Sequence, residues 1–437
     1  MIRSFEYVIL GGGVAAGYAA LEFVRRKGDA APGELCIISD EDVRFLSLPA
    51  GDVKFMGNSD FVMFAGGTRL PAFHTCVGAN DELLKAEWYK IHGVELILGT
   101  RVISADVRQK TLRTFHDETI SYKTLIVATG AKALKLEEFR GSDAENVCYL
   151  RNIKDAEKLV GIMKSYPDGN AVVIGGGYIG MECAAALVAN NIKVTMVFPE
   201  KYCMSRLFTP KLAEFYEELL HVKRSYFHQR NCSFVLGGLI FGKVTTAILR
   251  DHRRLPANLV VVGIGARANT ELFEGQLAME RGGIKVNEQM QTSDASVYAV
   301  GDVAAFPVKL LGGDVRRLEH VDCARRTARH AVTAALSPAA AAAGDIDYLP
   351  FFYSRVFALS WRFYGDNAGE AVHFGDFSLS SSAPPKFGAF WVSQGRIAGA
   401  FLEGGTPEEY DAIATPCGVE RRCRTWLSSR GRASRSL

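Results

Sequence analysis

With 437 residues, 48% hydrophobic and 23% charged, the chain is long enough for about three domains with ordinary globular cores. Its 51 Lys and Arg stand against 48 Asp and Glu, a net +3 that argues against nucleic acid or an anionic membrane as a partner. No stretch reaches the roughly 18 continuous apolar residues of a membrane span, and the nine scattered cysteines form no CxxC pair, so neither a metal site nor a disulfide framework is expected.

Taken in chain order, a strand is predicted over residues 5–10, which leaves no room for a cleavable leader. A turn with Gly11, Gly13 and Ala16 follows, then an amphipathic helix over 18–26 and a strand over 35–39 ending in Asp40 and Glu41. Residues 124–130 read as a buried strand closing on Thr129 and Gly130. The opening pattern then recurs: strand 171–174, a turn with Gly175, Gly177 and Gly180, a helix from Met181, and strand 193–198 followed by Glu200. Residues 259–265, ending in Gly265, are the counterpart of 124–130, and strand 296–300 closes on Gly301 and Asp302. From Phe351 short aromatic strands predominate, with residues 393–395 predicted to join two of them as a hairpin.

The alternation predicts an α/β protein of glutathione-reductase-like plan: two Rossmann-like nucleotide-binding domains on parallel sheets plus a C-terminal α+β domain. The boundaries expected are 1–130 with 259–330 for a discontinuous FAD domain and 146–258 for an NAD domain. A C-terminal domain over 346–415 and an atypical basic tail over 416–437 complete them.

A glycine-rich turn alone only reverses a chain. Set between a strand and a helix it does more: the first glycine permits the tight turn, the second lets backbone approach a pyrophosphate, and the third permits close helix packing. The helix start then offers unpaired N–H donors and a partial positive charge. Glu200, twenty residues after Gly180, suits an adenosine ribose and would repel a 2′-phosphate, so NADH is favoured over NADPH, with Arg206 near enough to soften the preference. Glu41 is the ribose candidate of the first site. Asp302, far downstream of the first fingerprint, suits the ribityl hydroxyls of FAD; alone it could equally cap a helix. No cysteine pair follows the first strand-turn-helix unit, so electrons are expected to leave the flavin directly, and Cys76 reads as an ordinary small residue.

Longer blocks resemble one family, the monodehydroascorbate reductases of plants and algae. They are LPAFHTCVG (70–78), VFPE (197–200), MSRLF (204–208), EHVDCAR (319–325), FYSR (352–355), FYGDN (363–367) and GAFLEGG (399–405). The similarity spans roughly residues 5–220 and 256–410. It implies that NADH reduces FAD and that the flavin returns two successive electrons to monodehydroascorbate radicals. It also implies that Tyr178, Ile179, Glu200, Arg206 and Gly265 hold the nicotinamide cofactor, that the backbone of Val321 meets the isoalloxazine, and that Arg325 and Tyr353 bind the acceptor. An anionic, planar radical suits a guanidinium beside a phenol ring, and the cofactor carries the chemistry without a protein base.

Three segments depart from the family pattern. Leu48 replaces an FAD-contacting arginine and Lys54 matches the FAD lysine only after a one-residue slip. Residues 221–242 match nothing where nicotinamide-domain strands belong, and the arginine-rich tail from Thr415 lacks the expected helical ending. A reductase for a small iron–sulfur protein of ferredoxin or rubredoxin type, or an NADH-responsive flavoprotein without turnover, remain the alternatives. A monomer in the cytoplasm is expected. A peroxisomal or other organellar location stays open, although Arg435, Ser436 and Leu437 make a poor peroxisomal signal.

Overall fold

A computed structural model describes residues 2–41, 86–137, 139–222, 225–229, 234–240, 242–337, 339–379 and 384–418. These divide into two compact units. One holds the described residues within 2–132 and 267–352, the other those within 133–266 and 353–418.

The first unit is built on strand Ile2–Leu10, whose inner half (Val8, Ile9, Leu10) is buried. It is flanked in parallel by Leu35–Ile38 and Thr119–Val127. Glu95–Ile97 and Val297–Ala299 extend the parallel sheet, and Val102–Asp106 with Thr111–Thr114 adds an antiparallel edge. Near-continuous apolar runs are what a sheet covered on both faces requires. Helix Val14–Lys27 lays Ala16, Tyr18, Ala19, Ala20 and Phe23 into this core. It stops at Gly28, whose φ of +88° breaks the helix while its N–H donates to Val24. Helix Val321–Leu336 shares the core through Cys323, Ala324, Ala328, Ala331 and Val332.

The second unit repeats the design. Its parallel sheet runs Ser225–Gln229, Lys193–Phe198, Asn170–Ile174, Leu259–Val262, Val147–Tyr149. Helix Tyr178–Ala189 follows the second glycine turn, and the antiparallel strands Phe234–Ile240, Lys243–Leu249 and Arg254–Pro256 form a small side sheet. A C-terminal sheet is ordered Phe351–Val356, Leu359–Gly365, Arg396–Glu403, Lys386–Ser393, Glu370–Asp376. The predicted hairpin is present: Gln394 and Gly395 both adopt positive φ between Ser393 and Arg396, the twist that suits a two-residue turn. Helix Pro407–Gly418 closes this sheet with Tyr410, Ile413 and Cys417 buried.

The expected boundary at 259 moves. Leu259–Val262 pairs with Asn170–Ile174 and Val147–Tyr149, so it belongs to the second parallel sheet, and the first unit resumes only at Arg267. Of the span 346–415, the described residues from Tyr353 on share one unit with the second parallel sheet and those up to Phe352 fall in the first; the division lies inside strand Phe351–Val356. Residues 221–242, expected to match nothing in the family, supply two strands. Ser225–Gln229 continues the parallel sheet beside Lys193–Phe198, and Phe234–Ile240 pairs with Lys243–Leu249. The helix ending at Gly418 carries Pro416 in its last turn, beyond which the chain lies outside the described residues.

Candidate functional site

The two glycine turns are alike in detail. Gly11 has φ +125° and Gly175 φ +116°, and a Cβ on either would stand 2.2 Å from a backbone carbonyl oxygen, Ala128 in one case and Gly263 in the other. Only glycine closes a turn that tight against the end of a neighbouring strand. Two residues on, Gly13 and Gly177 are the extended N-cap residues of their helices. A Cβ on either would meet nothing within 4 Å. Neither helix has a side-chain cap or an acidic residue in its first turn. A pyrophosphate fits this arrangement: open space at a helix start and the positive end of the helix dipole. The third position differs between copies. A Cβ at Gly180 would stand 2.1 Å from the Gly175 carbonyl oxygen, whereas the first copy accommodates the fully buried methyl of Ala16.

Around the first turn the unit brings several of the expected residues together. Gly301 follows the buried strand Val297–Ala299 so closely that a Cβ on it would sit 3.1 Å from the Ala15 side chain and 3.5 Å from that of Ala324. Asp302 occupies the short turn Gly301–Val303, half-buried, with its carbonyl accepting from Arg317. Val321 is the first residue of helix Val321–Leu336, and one turn further Arg325 lies with its guanidinium 5.3 Å from the Tyr18 ring centroid. Thr129 donates its hydroxyl to the Asn269 carbonyl, and Asn269 returns a bond from its amide to the Thr129 carbonyl, fixing the strand end at Gly130. Glu41 stands exposed just past strand Leu35–Ile38. Leu48, Lys54 and Cys76 lie outside the described residues.

Around the second turn, Tyr178 and Ile179 open helix Tyr178–Ala189, with Ile179 against Gly263. Glu200 is exposed beyond strand Lys193–Phe198, and the loop after it folds back so that Met204 donates its N–H to the Gly176 carbonyl at 2.8 Å. That bond draws residues 200–206 alongside the glycine turn. Arg206 is exposed, and its carbonyl accepts from Asn367 at 2.7 Å, tying the loop to the C-terminal sheet. Gly265 takes φ +116° with its carbonyl accepting from Leu134. Tyr353 sits half-buried in strand Phe351–Val356.

Sequence reasoning missed three groups. Glu182, the single charged residue of helix Tyr178–Ala189, accepts from the Ser354 hydroxyl at 2.5 Å and from the Arg355 N–H at 3.3 Å. A lone carboxylate in an otherwise apolar helix was the available signal. Glu403 is fully buried and accepts from the Tyr216 hydroxyl and the Ser360 N–H; burial pushes its carboxyl up to about 7. His320 caps helix Val321–Leu336 beside the rings of Phe351 and Phe352, and burial, then the Arg325 charge, push its imidazole down to about 4. It is neutral at physiological pH. All six described cysteines are free and buried, with burial raising the thiols of Cys36 and Cys183 to about 12.

The family model described as pyridine nucleotide-disulphide oxidoreductase matches residues 5–328. A second, described as the C-terminal domain of monodehydroascorbate reductase 3-like proteins, matches residues 349–425. A monodehydroascorbate reductase 1, peroxisomal, of Oryza sativa subsp. japonica is 68% identical over 425 residues, covering 95% of this chain and 86% of its own. The chain belongs to the monodehydroascorbate reductase family. It is thereby a flavin-dependent, pyridine-nucleotide-linked oxidoreductase. A cytosolic monodehydroascorbate reductase 4 from the same species is 48% identical, covering 94% and 93% of the two chains. Among solved structures, the chain resembles one titled as the covalent putidaredoxin reductase–putidaredoxin complex, with TM-score 0.76 and 25% identity over 94% of this chain and 92% of that one. Monodehydroascorbate reductases in this comparison thus include both peroxisomal and cytosolic forms. Among the described residues no helix is long and apolar enough to cross a membrane.

Proposed function

We propose that this chain oxidises NADH and reduces monodehydroascorbate radicals to ascorbate, one electron at a time, acting as a monomer in the cytosol. FAD, when bound, supplies the exchange between a two-electron donor and one-electron acceptors. The observation that carries the reading is the pair of matched turns, each with a forced glycine and open space beside the N-cap glycine of a helix.

In this reading Gly11, Gly13 and Ala16 hold the FAD pyrophosphate and Glu41 its adenosine ribose. Thr129, Gly130 and Asp302 would receive the ribityl end and the backbone of Val321 would meet the isoalloxazine; Val321 and Lys54 are assigned to the cofactor by resemblance. Gly175, Gly177, Tyr178, Ile179, Gly180 and Gly265 hold NADH. The exposed Glu200 accepts from its ribose hydroxyls, a role that disfavours the 2′-phosphate of NADPH. Arg325 binds the anionic acceptor and Tyr353 offers its ring and hydroxyl. The imidazole of His320, neutral at physiological pH, adds no cation of its own at the start of helix Val321–Leu336. No side chain is needed as a general base, because the residues bind and orient.

Purified protein given NADH, ascorbate and ascorbate oxidase should consume NADH only while radicals are being generated. Equal consumption without the oxidase would overturn the proposal and favour a reductase for another acceptor. Arg325→Ala should raise the half-saturating radical concentration about tenfold or more and leave bleaching of the flavin by NADH within about twofold of the parent.

A further inference from the structure

Strand Phe351–Val356 carries Tyr353, and its neighbours in the second unit are held in an unusual way. The strand's next residue, Ser354, is 2% exposed and points its hydroxyl at the Glu182 carboxylate, 2.5 Å away. The N–H of Arg355 reaches the same oxygen at 3.3 Å. Glu182 lies in helix Tyr178–Ala189, one turn beyond Tyr178 and within the first two turns after Gly177. Two donors on adjacent strand residues therefore converge on one carboxylate oxygen of the helix that starts at the second glycine turn.

We propose that Ser354 is a positioning residue for the acceptor, with Glu182 as its anchor. The proposal rests on the reading of Tyr353 as an acceptor ligand. Successive residues of a strand point to opposite faces, so pinning Ser354 inward fixes which face Tyr353 presents. The Arg355 N–H bond fixes the same stretch along its length, so the strand can neither slide nor roll without breaking a hydrogen bond to a charged group. Such bonds are stronger than neutral ones. A helix whose other residues are apolar gains nothing from Glu182 as packing. Its carboxylate is explained by the strand it holds. The consequence is a mechanical link within one unit: the helix whose start offers the phosphate site also sets the attitude of the tyrosine proposed to meet the second substrate.

The test uses the flavin-loaded full chain. Ser354→Ala removes the hydroxyl; Ser354→Cys fills the same space with a much weaker donor, and serves if the alanine variant loses flavin or unfolds. Both should raise the KM for enzymatically generated radicals about five- to tenfold, leave kcat within about twofold, and leave the rate of flavin bleaching by NADH unchanged. Tyr353→Ala is measured alongside. If it raises the radical KM and the Ser354 variants do not, the positioning role is overturned while the acceptor site stands. If Tyr353→Ala leaves that KM unchanged, the acceptor reading itself falls. Slower flavin bleaching in a flavin-replete Ser354 variant would also overturn the proposal, since the bond would then serve the nicotinamide side.

Discussion

Glu200 ends its strand exposed, and nothing about its burial demands a carboxylate there. What gives it meaning is the loop that follows, which hydrogen-bonds back to Gly176 and so keeps residues 200–206 beside the glycine turn. A carboxylate at that point accepts from ribose hydroxyls and repels a phosphate. Glu200→Gln should therefore narrow the ratio of kcat/KM for NADH over NADPH, by about three- to tenfold at low salt and by less as salt screens the charge. A ratio that does not move would remove Glu200 from the ribose. Its place after a strand was legible in the sequence because both that strand and the glycine turn twenty residues earlier leave local patterns. Glu182 was not, because its partner Ser354 lies far along the chain and no local periodicity connects them. The same holds for Glu403 and Tyr216, which meet only once a helix and a C-terminal strand have packed.

The strand, turn and helix of each copy form an element in which two glycines, two residues apart, differ in what a side chain would meet. Gly175 is needed by the fold: its φ is +116° and any side chain would drive into the Gly263 carbonyl 2.2 Å away. Gly175→Ala should cost at least ~2 kcal/mol in unfolding free energy, from left-handed backbone strain plus the clash, and urea titration would measure it. Gly177 is not needed in that way, since its backbone is extended and a methyl there would enter empty space, and its proposed duty is to admit the NADH phosphates. Gly177→Ala should leave stability within about 1 kcal/mol, because neither residue caps with a side chain. It should nonetheless weaken NADH binding by about tenfold or more, as the methyl takes the place of a phosphate oxygen. If the two substitutions had the same profile, the open space above Gly177 would not be a binding surface. At this scale the sequence pattern was a good guide to which residues form strands. It was a poor guide to their partners, as strand Leu259–Val262 shows by joining the second sheet rather than the first. An apolar run announces burial, whereas sheet membership depends on the path of the chain between strands.

Across the whole molecule, two buried ionisable groups bias stability in opposite directions, one in each unit. Glu403, in the second unit, is raised by burial from the usual carboxyl range to about 7, so the folded state holds its proton more tightly than the unfolded chain. Its stabilising contribution is complete below about pH 4.5 and is lost as pH rises through 7, by up to about 3 kcal/mol. His320, in the first unit, is lowered to about 4, so the folded state favours the neutral ring. That contribution is complete above about pH 6.5 and is lost as pH falls through 4. Between these limits acidification should weaken the His320 environment while strengthening that of Glu403. Substitution isolates each effect from the many surface carboxylates. Glu403→Gln keeps the shape and an acceptor for the Tyr216 hydroxyl, and its stability relative to the parent should improve from pH 5 to about pH 7 and level off above it. His320→Asn keeps a side chain able to cap the helix, and its stability relative to the parent should improve as pH drops from 7 to 4. Denaturant unfolding at several pH values reads both. Parallel curves for parent and Glu403→Gln would mean that the carboxyl is not protonated in the native state. The Tyr216 bond would then join a phenol to a buried anion, the more costly arrangement by far.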